Sequence, residues 1–435
     1  MADGSITPFQ TSLRVNADEF AALIAPLGPF EPQPRMAVAV SGGPDSMALA
    51  LLSSHWVRSR GGEAIALIVD HGIRAESAAE AAEAAARLSA RGIASRILPV
   101  TGLCRGPALA ERARQARYAA LIEGCRKAGL LHLLLGHHAG DQAETLMIRA
   151  LSGSGAAGFA GMPALTELTS VRLLRPLLGI PPGRLRATLR EFGMDWAEDP
   201  SNTDRASLRV RLRLGLGDPD GVGAGVAALV EAARHAGQAR AETSADLAAE
   251  LAAICRVHAE GFIVLNADRL SAGALTAIIR TISGADFPPS PGPVGQLAAN
   301  LQPATLGGVR IMLAGRLGPG FLIVREAAAM QAPVAAIPGA IWDHRFRLGH
   351  QAQPAPNTQL GALGPDAARL RDLSPLPAVI LQTLPAIRDQ GRLVAVPHLG
   401  HPDETICDRY PMILNPSVPL AGAPFGIAHT TERPP

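Results

Sequence analysis

Short apolar runs alternate with helical patterns along the first third of the chain. Four runs without internal alternation, typical of strands buried on both faces, occupy residues 36–40, 64–69, 94–100 and 131–135. Apolar residues at helical spacing occupy residues 46–56, 75–91 and 108–128. This alternation of strands and helices predicts a Rossmann-like, doubly wound and mostly parallel sheet of the α/β class.

The pattern changes further along the chain. Residues 171–177 form a candidate strand, residues 181–192 a candidate helix, and residues 215–223 are rich in the Gly, Asp and Pro of linkers. An alanine-rich helical stretch follows at residues 226–257, and short alternating runs such as residues 392–396 lie near the end. We therefore expect an α/β domain at residues 1–215, a mainly helical domain at 216–335 and a small mixed α+β domain at 336–435.

Polar segments follow three of the predicted strands. Residues 41–45, 70–74 and 136–141 are the most polar and unusual stretches of this region. The carboxyl ends of parallel strands lie at one edge of the sheet, and ligands bind in the crevice beyond them. The sequence therefore predicts that the three segments line one site.

The first segment, SGGPDS at residues 41–46, has the composition of an anion-binding loop. Its two glycines permit a close approach of the backbone, Ser41 and Ser46 carry hydroxyl donors, and Pro44 suits a first helical turn. Backbone N–H groups that converge at a helix N-terminus bind phosphate. An ordinary capped turn explains the same string, so the loop alone leaves both interpretations open.

The third segment, GHHAGDQAET at residues 136–145, combines histidines with carboxylates. Asp141 and Glu144 are three residues apart, which places them on one face of a helix near its N-terminus. This pair suits Mg²⁺ bound through its waters, or an ammonium group. His137 and His138 follow the strand, where one could act as a phosphate donor or as an acid/base group. A capped helix with partly buried histidines is the structural alternative.

Arginine supplies nearly all of the positive charge, because the chain has one lysine, Lys127, and a formal net charge of +2. Arginines cluster at residues 112–117, 184–190 and 205–213. Guanidinium groups match phosphate oxygens bidentately, so an RNA footprint is one interpretation and a solvated charged face is the other. The alternate arginines at residues 209–213 would share one face of a strand but separate on a helix.

Several chemistries are excluded by what the chain lacks. A Walker loop needs Gly-Lys-Ser/Thr, and no lysine lies near the first segment. Glycines at 153, 155 and 158 spell G-x-G-x-x-G, but they follow a helical pattern, which excludes a dinucleotide fingerprint. The four cysteines form no Cys-x-x-Cys pair, which disfavours metal clusters and disulfides. No run approaches ~18 apolar residues and the start lacks a signal-peptide pattern, so we expect a cytoplasmic protein without a membrane partner.

Four strings in order carry a resemblance to a known family. SGGPDS, VDHGIR, GHHAGDQAET and EDPSN (residues 198–202) resemble the PP-loop ATP pyrophosphatase superfamily. The later strings and the ARxARY pattern within residues 112–118 are similar to its tRNA(Ile)-lysidine synthetase family. The match covers residues 36–213, and LGGVRI, WDHRF and GRLVAVPHLG resemble pieces of the family's C-terminal region.

This resemblance implies an ATP-dependent ligase that modifies tRNA. In the family, ATP activates the C2 carbonyl of the wobble cytidine in the CAU anticodon of isoleucine tRNA as an adenylate, and pyrophosphate leaves. The amino group of free L-lysine then displaces AMP and forms lysidine, which changes decoding from AUG to AUA. The first domain would be catalytic and the second would recognise tRNA. ATP and Mg²⁺ are implied as cofactors, and the formation of a homodimer is left open.

The resemblance also implies roles for individual residues. The residues expected in catalysis are Asp45, His137, Asp141 and Glu144, with Asp45 and Asp141 on Mg²⁺. The residues expected to bind ATP are Ser41, Gly42, Gly43, Pro44, Asp45, Ser46, Asp70, His71 and Gly136. The residues expected to contact tRNA are Arg74, Arg112, Arg117, Arg205 and Arg209. Near residues 151–155 the family's arginine is replaced or shifted to Arg149.

Other functions fit part of the sequence. A tRNA thiolase of the same superfamily would use paired cysteines or an iron–sulfur cluster, and the cysteines here show no pairing. A class I aminoacyl-tRNA synthetase needs a lysine signature that one lysine cannot supply. A module that binds ATP and RNA without catalysis would carry a broken site, whereas Ser41, Asp45, Ser46, Asp141 and Glu144 are all present.

Overall fold

The computed structural model describes residues 14–74, 76–103, 106, 108–198, 208–422 and 425–427. The chain divides into two compact units: unit 1 is Met1–Glu242 with Ala423–Pro435, and unit 2 is Thr243–Gly422. The three-domain division expected from the sequence stays a prediction. Within the described ranges, no helix is both long enough and apolar enough to cross a membrane.

A six-stranded sheet forms the centre of unit 1. Its strands are β1 (Arg35–Val40), β2 (Glu63–Asp70), β3 (Ala94–Pro99), β4 (His132–Leu134), β5 (Leu165–Glu167) and β6 (Arg172–Leu174). Their order is β3-β2-β1-β4-β6-β5, and only the edge pair β5 with β6 is antiparallel. The predicted doubly wound, mostly parallel sheet is confirmed.

The described helices of unit 1 are α1 (Ala17–Ile24), α2 (Pro44–Arg58), α3 (Ser77–Ser89), α4 (Leu109–Ala128), α5 (Ala139–Leu151), α6 (Pro182–Glu191), α7 (Leu208–Leu216) and the first part of α8 (Ala224–Ile254). Helices α1, α2, α3 and α6 pack on one face of the sheet and α4 packs on the other, while α5 packs against α7 and the start of α8. Side chains alternate across a strand, so Met36 and Val38 of β1 pack in the cluster that contains α2 and α6. Ala37 packs in the opposite cluster, against α4. Burial on both faces explains why β1 is an uninterrupted apolar run.

Two segments form secondary structure that the sequence pattern did not determine. The arginines at residues 209–213 lie on helix α7 and not on a strand, so Arg211 points away from the face that Arg209 and Arg213 share. The alanine-rich helix ends at Ile254, and residues 255–257, expected to continue it, form a strand that pairs with residues 263–265. Pairing partners supplied by the tertiary structure override the local helical preference there.

Antiparallel sheets build unit 2. A five-stranded sheet has the order β7-β8-β11-β10-β9, from strands β7 (Cys255–His258), β8 (Phe262–Leu265), β9 (Ala304–Leu306), β10 (Val309–Leu313) and β11 (Phe321–Arg325). Helices α9 (Ala272–Ser283) and α10 (Pro291–Ala299) contribute apolar side chains to a core with this sheet. Residues 216–335, expected to be mainly helical, therefore also contain this sheet.

The C-terminal part of unit 2 has two smaller sheets. One has the order β12-β15-β16-β17, from β12 (Val334–Ala335), β15 (Thr358–Ala362), β16 (Pro385–Asp389) and β17 (Arg392–Ala395). The other has the order β13-β14-β18, from β13 (Ile341–Trp342), β14 (Phe346–Leu348) and β18 (Met412–Leu414). Two one-turn helices, α11 (Ala378–Leu381) and α12 (Glu404–Cys407), lie between the strands in sequence.

A buried ion cluster joins the five-stranded sheet to the β13–β14 turn. Asp343, which is 1% exposed, accepts hydrogen bonds from Arg325 at 3.0 Å and from Arg345 at 2.7 Å. Arg345 also donates to the Gly261 carbonyl in the β7–β8 turn at 3.1 Å. Burial lowers the pKa of Arg345 to about 10, although Asp343 acts in the opposite direction. One carboxylate therefore neutralises two buried guanidinium groups only in part.

We predict that Asp343→Asn destabilises unit 2 strongly. The substitution leaves two buried guanidinium groups without their counter-charge, which costs about 3–5 kcal/mol when one partner of a buried ion pair is removed. Asp343 has a positive φ of 51°, and asparagine tolerates that conformation, so the change tests the charge and not the backbone. Urea unfolding followed by circular dichroism measures the loss, with the exposed Asp389→Asn as control. Equal stability of the two variants would contradict the prediction.

Candidate active site

The candidate site lies where the sheet order reverses. Strands β1 and β4 are adjacent and parallel, while the connection from β1 leads to β2 on its other side. Their carboxyl ends therefore open a crevice of the kind that binds ligands in α/β sheets. The SGGPDS loop follows β1, and residues 136–141 follow β4. The structure thus brings the first and third polar segments together, as the sequence predicts.

Hydrogen bonds within the SGGPDS loop fix its shape. The Ser46 hydroxyl accepts from the Ser41 backbone N–H at 3.1 Å and donates to the Gly43 carbonyl at 3.0 Å. Gly42 has a φ of +86°, which favours glycine. Gly43 is the N-cap of α2 and Pro44 its first residue, and none of the described side chains caps this helix. The first N–H groups of α2 are thus left for a ligand, as at anion-binding helix ends.

Gly136 sets the distance between β4 and α2. A Cβ atom at this position would lie 3.1 Å from both the backbone N and the Cα of Ser46. Those atoms belong to the first turn of a buried helix and cannot move away as a flexible side chain could. A larger residue here would push the start of α2 away by a few tenths of an ångström, because the backbone at the end of β4 contacts α2 directly.

His138 lies between two carboxylates. Its Nε2 is 3.5 Å from Asp45 Oδ2 and 3.7 Å from Asp141 Oδ2, and the residue is buried. Burial lowers the pKa of His138, but Asp141 and Asp45 outweigh it and raise the pKa to about 9. The Gly140 N–H donates to Nδ1 at 3.1 Å and favours the neutral ring. The carboxylates and the backbone thus act in opposite directions on the charge of this imidazole.

The same residues begin helix α5. His138 is its N-cap, and Asp141 accepts from the His138 N–H at 3.1 Å, which completes a capping box. The structural alternative drawn from the sequence, a capped helix with partly buried histidines, is therefore confirmed. A side chain that caps a helix is held in place by the backbone, so the two interpretations are compatible.

Asp141 and Glu144 have pKa values shifted in opposite directions. Burial raises the pKa of Asp141, but the charges of His138 and His137 and the His138 N–H outweigh it, and the net pKa is lowered. Burial raises the pKa of Glu144 more than Arg213 lowers it. A pair of carboxyl groups whose pKa values are driven apart is typical of sites in which one stays ionised and the other exchanges a proton.

Glu144 pairs with α7. Its Oε1 accepts from Arg213 Nε at 2.7 Å, and its Oε2 is 3.9 Å from Arg209 Nη1. These arginines are four residues apart and share one face of the helix, whereas Arg211 lies on another. The structure therefore brings Arg209 and Arg213 beside Glu144, and the tRNA contact expected of Arg209 stays a prediction.

His137 has a different environment from His138. Burial lowers the pKa of His137 to about 4 against the effect of Asp141, and the charges of Arg175, Arg114 and Arg117 lower it further. Its Nδ1 is buried and has no hydrogen-bond partner among the described residues. His137 is therefore neutral at pH 7. The sequence resemblance implies His137 as the catalytic histidine. In the structure, His138 is the histidine that lies beside both Asp45 and Asp141.

The remaining residues predicted to bind ATP or tRNA have other contacts in the structure or lie outside the described residues. Asp70 accepts from the Ser77 hydroxyl and from the Gly72 N–H, and His71 Nδ1 accepts from the Ile73 N–H. Arg74 pairs with Glu80 of α3 at 3.1 Å, and Arg117 lies 5.8 Å from the Tyr118 ring centroid. Arg112 belongs to α4, and Arg205 with residues 199–202 falls outside the described residues. Their roles toward ATP or tRNA stay predictions.

Arg149, to which the family's arginine was expected to be shifted or by which it was expected to be replaced, bonds to the backbone of the turn after α5. Its Nη1 donates to the carbonyls of Gly158 and Gly161, each at 2.7 Å. The guanidinium therefore holds the turn after α5 together.

Sequence reasoning missed the contribution of Arg213 and understated that of His138. The spacing of Arg209 and Arg213 would have placed both on one face if residues 208–216 had been recognised as a helix. For His138, the capping pattern of a polar residue followed three positions later by Asp141 was an available signal.

The donor set fits Mg²⁺ in the manner typical of nucleotide sites. Asp45 Oδ1 is buried without a hydrogen-bond partner in the described part of the chain. No cluster of three or more acidic, His or Cys side chains that could hold a metal occurs among the described residues. Mg²⁺ in such sites takes one or two carboxylates and completes its shell with phosphates and waters. Asp45 and Asp141 satisfy that requirement.

Comparison with known proteins identifies the family. The family model of the PP-loop domain matches residues 13–218. A tRNA(Ile)-lysidine synthase from Ruegeria pomeroyi is 33% identical over 85% of this chain and 90% of its own length. The chain belongs to the tRNA(Ile)-lysidine synthase family. A PP-loop domain of this kind uses ATP.

Other relatives match more closely over a shorter stretch. The tRNA(Ile)-lysidine synthase from Bradyrhizobium diazoefficiens is 43% identical over 46% of this chain, and that from Novosphingobium aromaticivorans is 48% identical over 42%. These alignments span 55% and 56% of the relatives' lengths. A solved U34-tRNA thiolase from Methanococcus maripaludis is 18% identical, covers 50% of this chain and 76% of its own, and has a TM-score of 0.42. That score is too low to bear on the function.

We predict that Gly136→Ala weakens ATP binding in this lysidine synthase family member. The added methyl group would displace the first turn of α2, whose N–H groups are the expected phosphate ligands, and a small displacement of such a site costs about tenfold or more in affinity. Calorimetric titration with ATP measures the loss.

Gly295→Ala in helix α10 is the matched control, because an added Cβ there meets nothing within 4 Å. ATP affinity of Gly136→Ala equal to that of the control would show that the contact between β4 and α2 does not shape the binding site.

Proposed function

We propose that this protein ligates L-lysine to C2 of the wobble cytidine in the CAU anticodon of isoleucine tRNA. ATP is converted to AMP and pyrophosphate, and the product is lysidine, which pairs with A instead of G. The observation that carries the proposal is the intact site at β1 and β4 in a member of this family. Asp45, His138 and Asp141 lie together there beside a helix N-terminus that no described side chain caps, and Glu144 follows Asp141 by one turn of α5.

The first half-reaction requires a held pyrophosphate. The C2 oxygen of cytidine attacks the α-phosphorus, and the bond from this phosphorus to the bridging oxygen of pyrophosphate breaks. The SGGPDS loop supports this step, because no described side chain caps the N–H groups at the start of α2, and these groups would bind the departing charge. Mg²⁺ is part of the proposal, held through Asp45 and Asp141; it would neutralise phosphate charge.

The second half-reaction requires an amine that loses a proton. The lysine nitrogen attacks C2, the bond between C2 and the adenylate oxygen breaks, and AMP leaves with that oxygen. Glu144 is the proposed acceptor for the ammonium group and its proton, because burial raises its pKa. Asp141, whose net pKa is lowered, stays ionised. This division assigns Asp141 to the phosphate side and Glu144 to the amine.

A cytoplasmic location belongs to the same proposal, because ATP, free lysine and tRNA meet there. The tRNA contacts expected of Arg74, Arg112, Arg117, Arg205 and Arg209 are proposed likewise. Arg117, an exposed arginine of α4, supports this, since no ion pair holds it within the described part of the chain.

We predict that the protein transfers radiolabelled lysine from solution to an isoleucine tRNA transcript with a CAU anticodon when ATP is present. A methionine tRNA transcript with the same anticodon is the control for recognition, and omission of ATP is the control for activation. Label in the isoleucine tRNA alone supports the proposal. The absence of label, or equal label in both transcripts, would contradict it.

We also predict that Asp45→Asn lowers the rate of tRNA-dependent pyrophosphate release by about 100-fold or more, because it removes a charge beside the phosphates at nearly constant shape. Affinity for tRNA, measured by filter binding, should stay within about twofold, since Asp45 lies at the ATP loop and not on the arginine-rich helices. The exposed Asp18→Asn serves as control. Loss of tRNA binding with Asp45→Asn would mean that the residue is structural.

A further inference from the structure

Glu144 is a buried carboxylate in which only one of the two oxygens accepts a hydrogen bond from the described residues. The residue is 1% exposed, and Oε1 accepts the 2.7 Å hydrogen bond from Arg213. Oε2 is buried and has no hydrogen-bond partner within the described residues, and Arg209 remains 3.9 Å away. A buried charged oxygen without a donor is costly, so such atoms in native structures mark places where a ligand or an ion is received.

Arg213 is placed for this contact by helix geometry. Helix α7 packs beside α5, and its residue Val210 is buried. Arg213 lies one turn beyond Arg209 on the same face, and its Nε–H reaches Glu144. A bond from a guanidinium to a carboxylate is charge-assisted, so it fixes the orientation of Glu144 more firmly than a neutral donor would.

The electrostatics of Arg213 agree with this placement. Burial lowers the pKa of Arg213, but the hydrogen bond with Glu144 and the charges of Glu144, Asp141 and Asp45 outweigh it and raise the pKa. Arg213 is therefore always charged at the site. Its Nε faces Oε1 and leaves Oε2 to another cation.

We propose that Arg213 is a positioning residue, which holds Oε1 of Glu144 so that Oε2 receives the ammonium group of the amine substrate. This inference rests on the proposed function, because that function supplies free lysine as the amine. The inference predicts that a change of Arg213 affects the binding of the amine in the second half-reaction. The activation of tRNA by ATP in the first half-reaction should not depend on Arg213.

The test compares Arg213→Met, Arg213→Lys and Arg126→Met with the native protein. Arg126 is the matched control, since it pairs with Glu123 at 2.7 Å on the exposed end of α4. Three quantities are measured: the KM for lysine in tRNA labelling, the rate of ATP–pyrophosphate exchange with tRNA but without lysine, and the binding of labelled lysine in equilibrium dialysis.

We expect Arg213→Met to raise the KM for lysine by about tenfold or more, which corresponds to the loss of one charge-assisted hydrogen bond. The exchange rate should stay within about twofold, because no bond to ATP is lost. Arg213→Lys should recover part of the affinity for lysine, since it restores the charge without the planar guanidinium. Arg126→Met should match the native protein in every measurement.

Three outcomes would overturn the inference: an unchanged KM for lysine in Arg213→Met, an equal loss of exchange and lysine transfer, or the absence of lysine binding by the native protein. Failure of the proposed function has a different signature. The native protein would then fail to label tRNA, while equilibrium dialysis would still report whether Arg213→Met binds lysine more weakly than the native protein.

Discussion

The parallel pairing of β1 with β4 brings together chain segments that are far apart in sequence, and the chemistry of unit 1 depends on it. Met36, Ala37 and Val38 pair with residues 132–134, so both strands end at the same edge. The contact is close enough that Gly136 has no room for a side chain against the first turn of α2. Asp45 and His138 face each other because of this constraint, since each follows its strand by only a few residues.

The two units differ in how completely their buried carboxylates are hydrogen-bonded. In unit 2, both oxygens of Asp343 are occupied by guanidinium or backbone donors, and the arginines are bound to backbone carbonyls as well. In unit 1, Asp45 and Glu144 each keep one buried oxygen that accepts no hydrogen bond from the described residues. A fully bonded cluster stabilises a fold, whereas an incompletely bonded one is typical of a site that completes its bonding with substrate.

The same side chains cap helix α5 and line the candidate active site. The capping box orients His138 and Asp141 through backbone hydrogen bonds, and these groups then present an imidazole and a carboxylate to the crevice. The structural and functional interpretations that the sequence left open are thus joined. The same holds for SGGPDS, which is an ordinary helix start by its proline and a candidate anion site by the N–H groups that no described side chain caps.

The sequence by itself determined the alternation of strands and helices, the sheet class and the loop at residues 41–46, because apolar periodicity and glycine are read locally. The sequence also showed the family resemblance, because each motif is a short continuous string of residues that can be recognised without the fold. It did not determine that residues 209–213 form a helix, which of two adjacent histidines lies between carboxylates, or that Arg213 reaches Glu144. Those outcomes depend on contacts between segments distant in sequence, and only the tertiary structure fixes which buried charges meet.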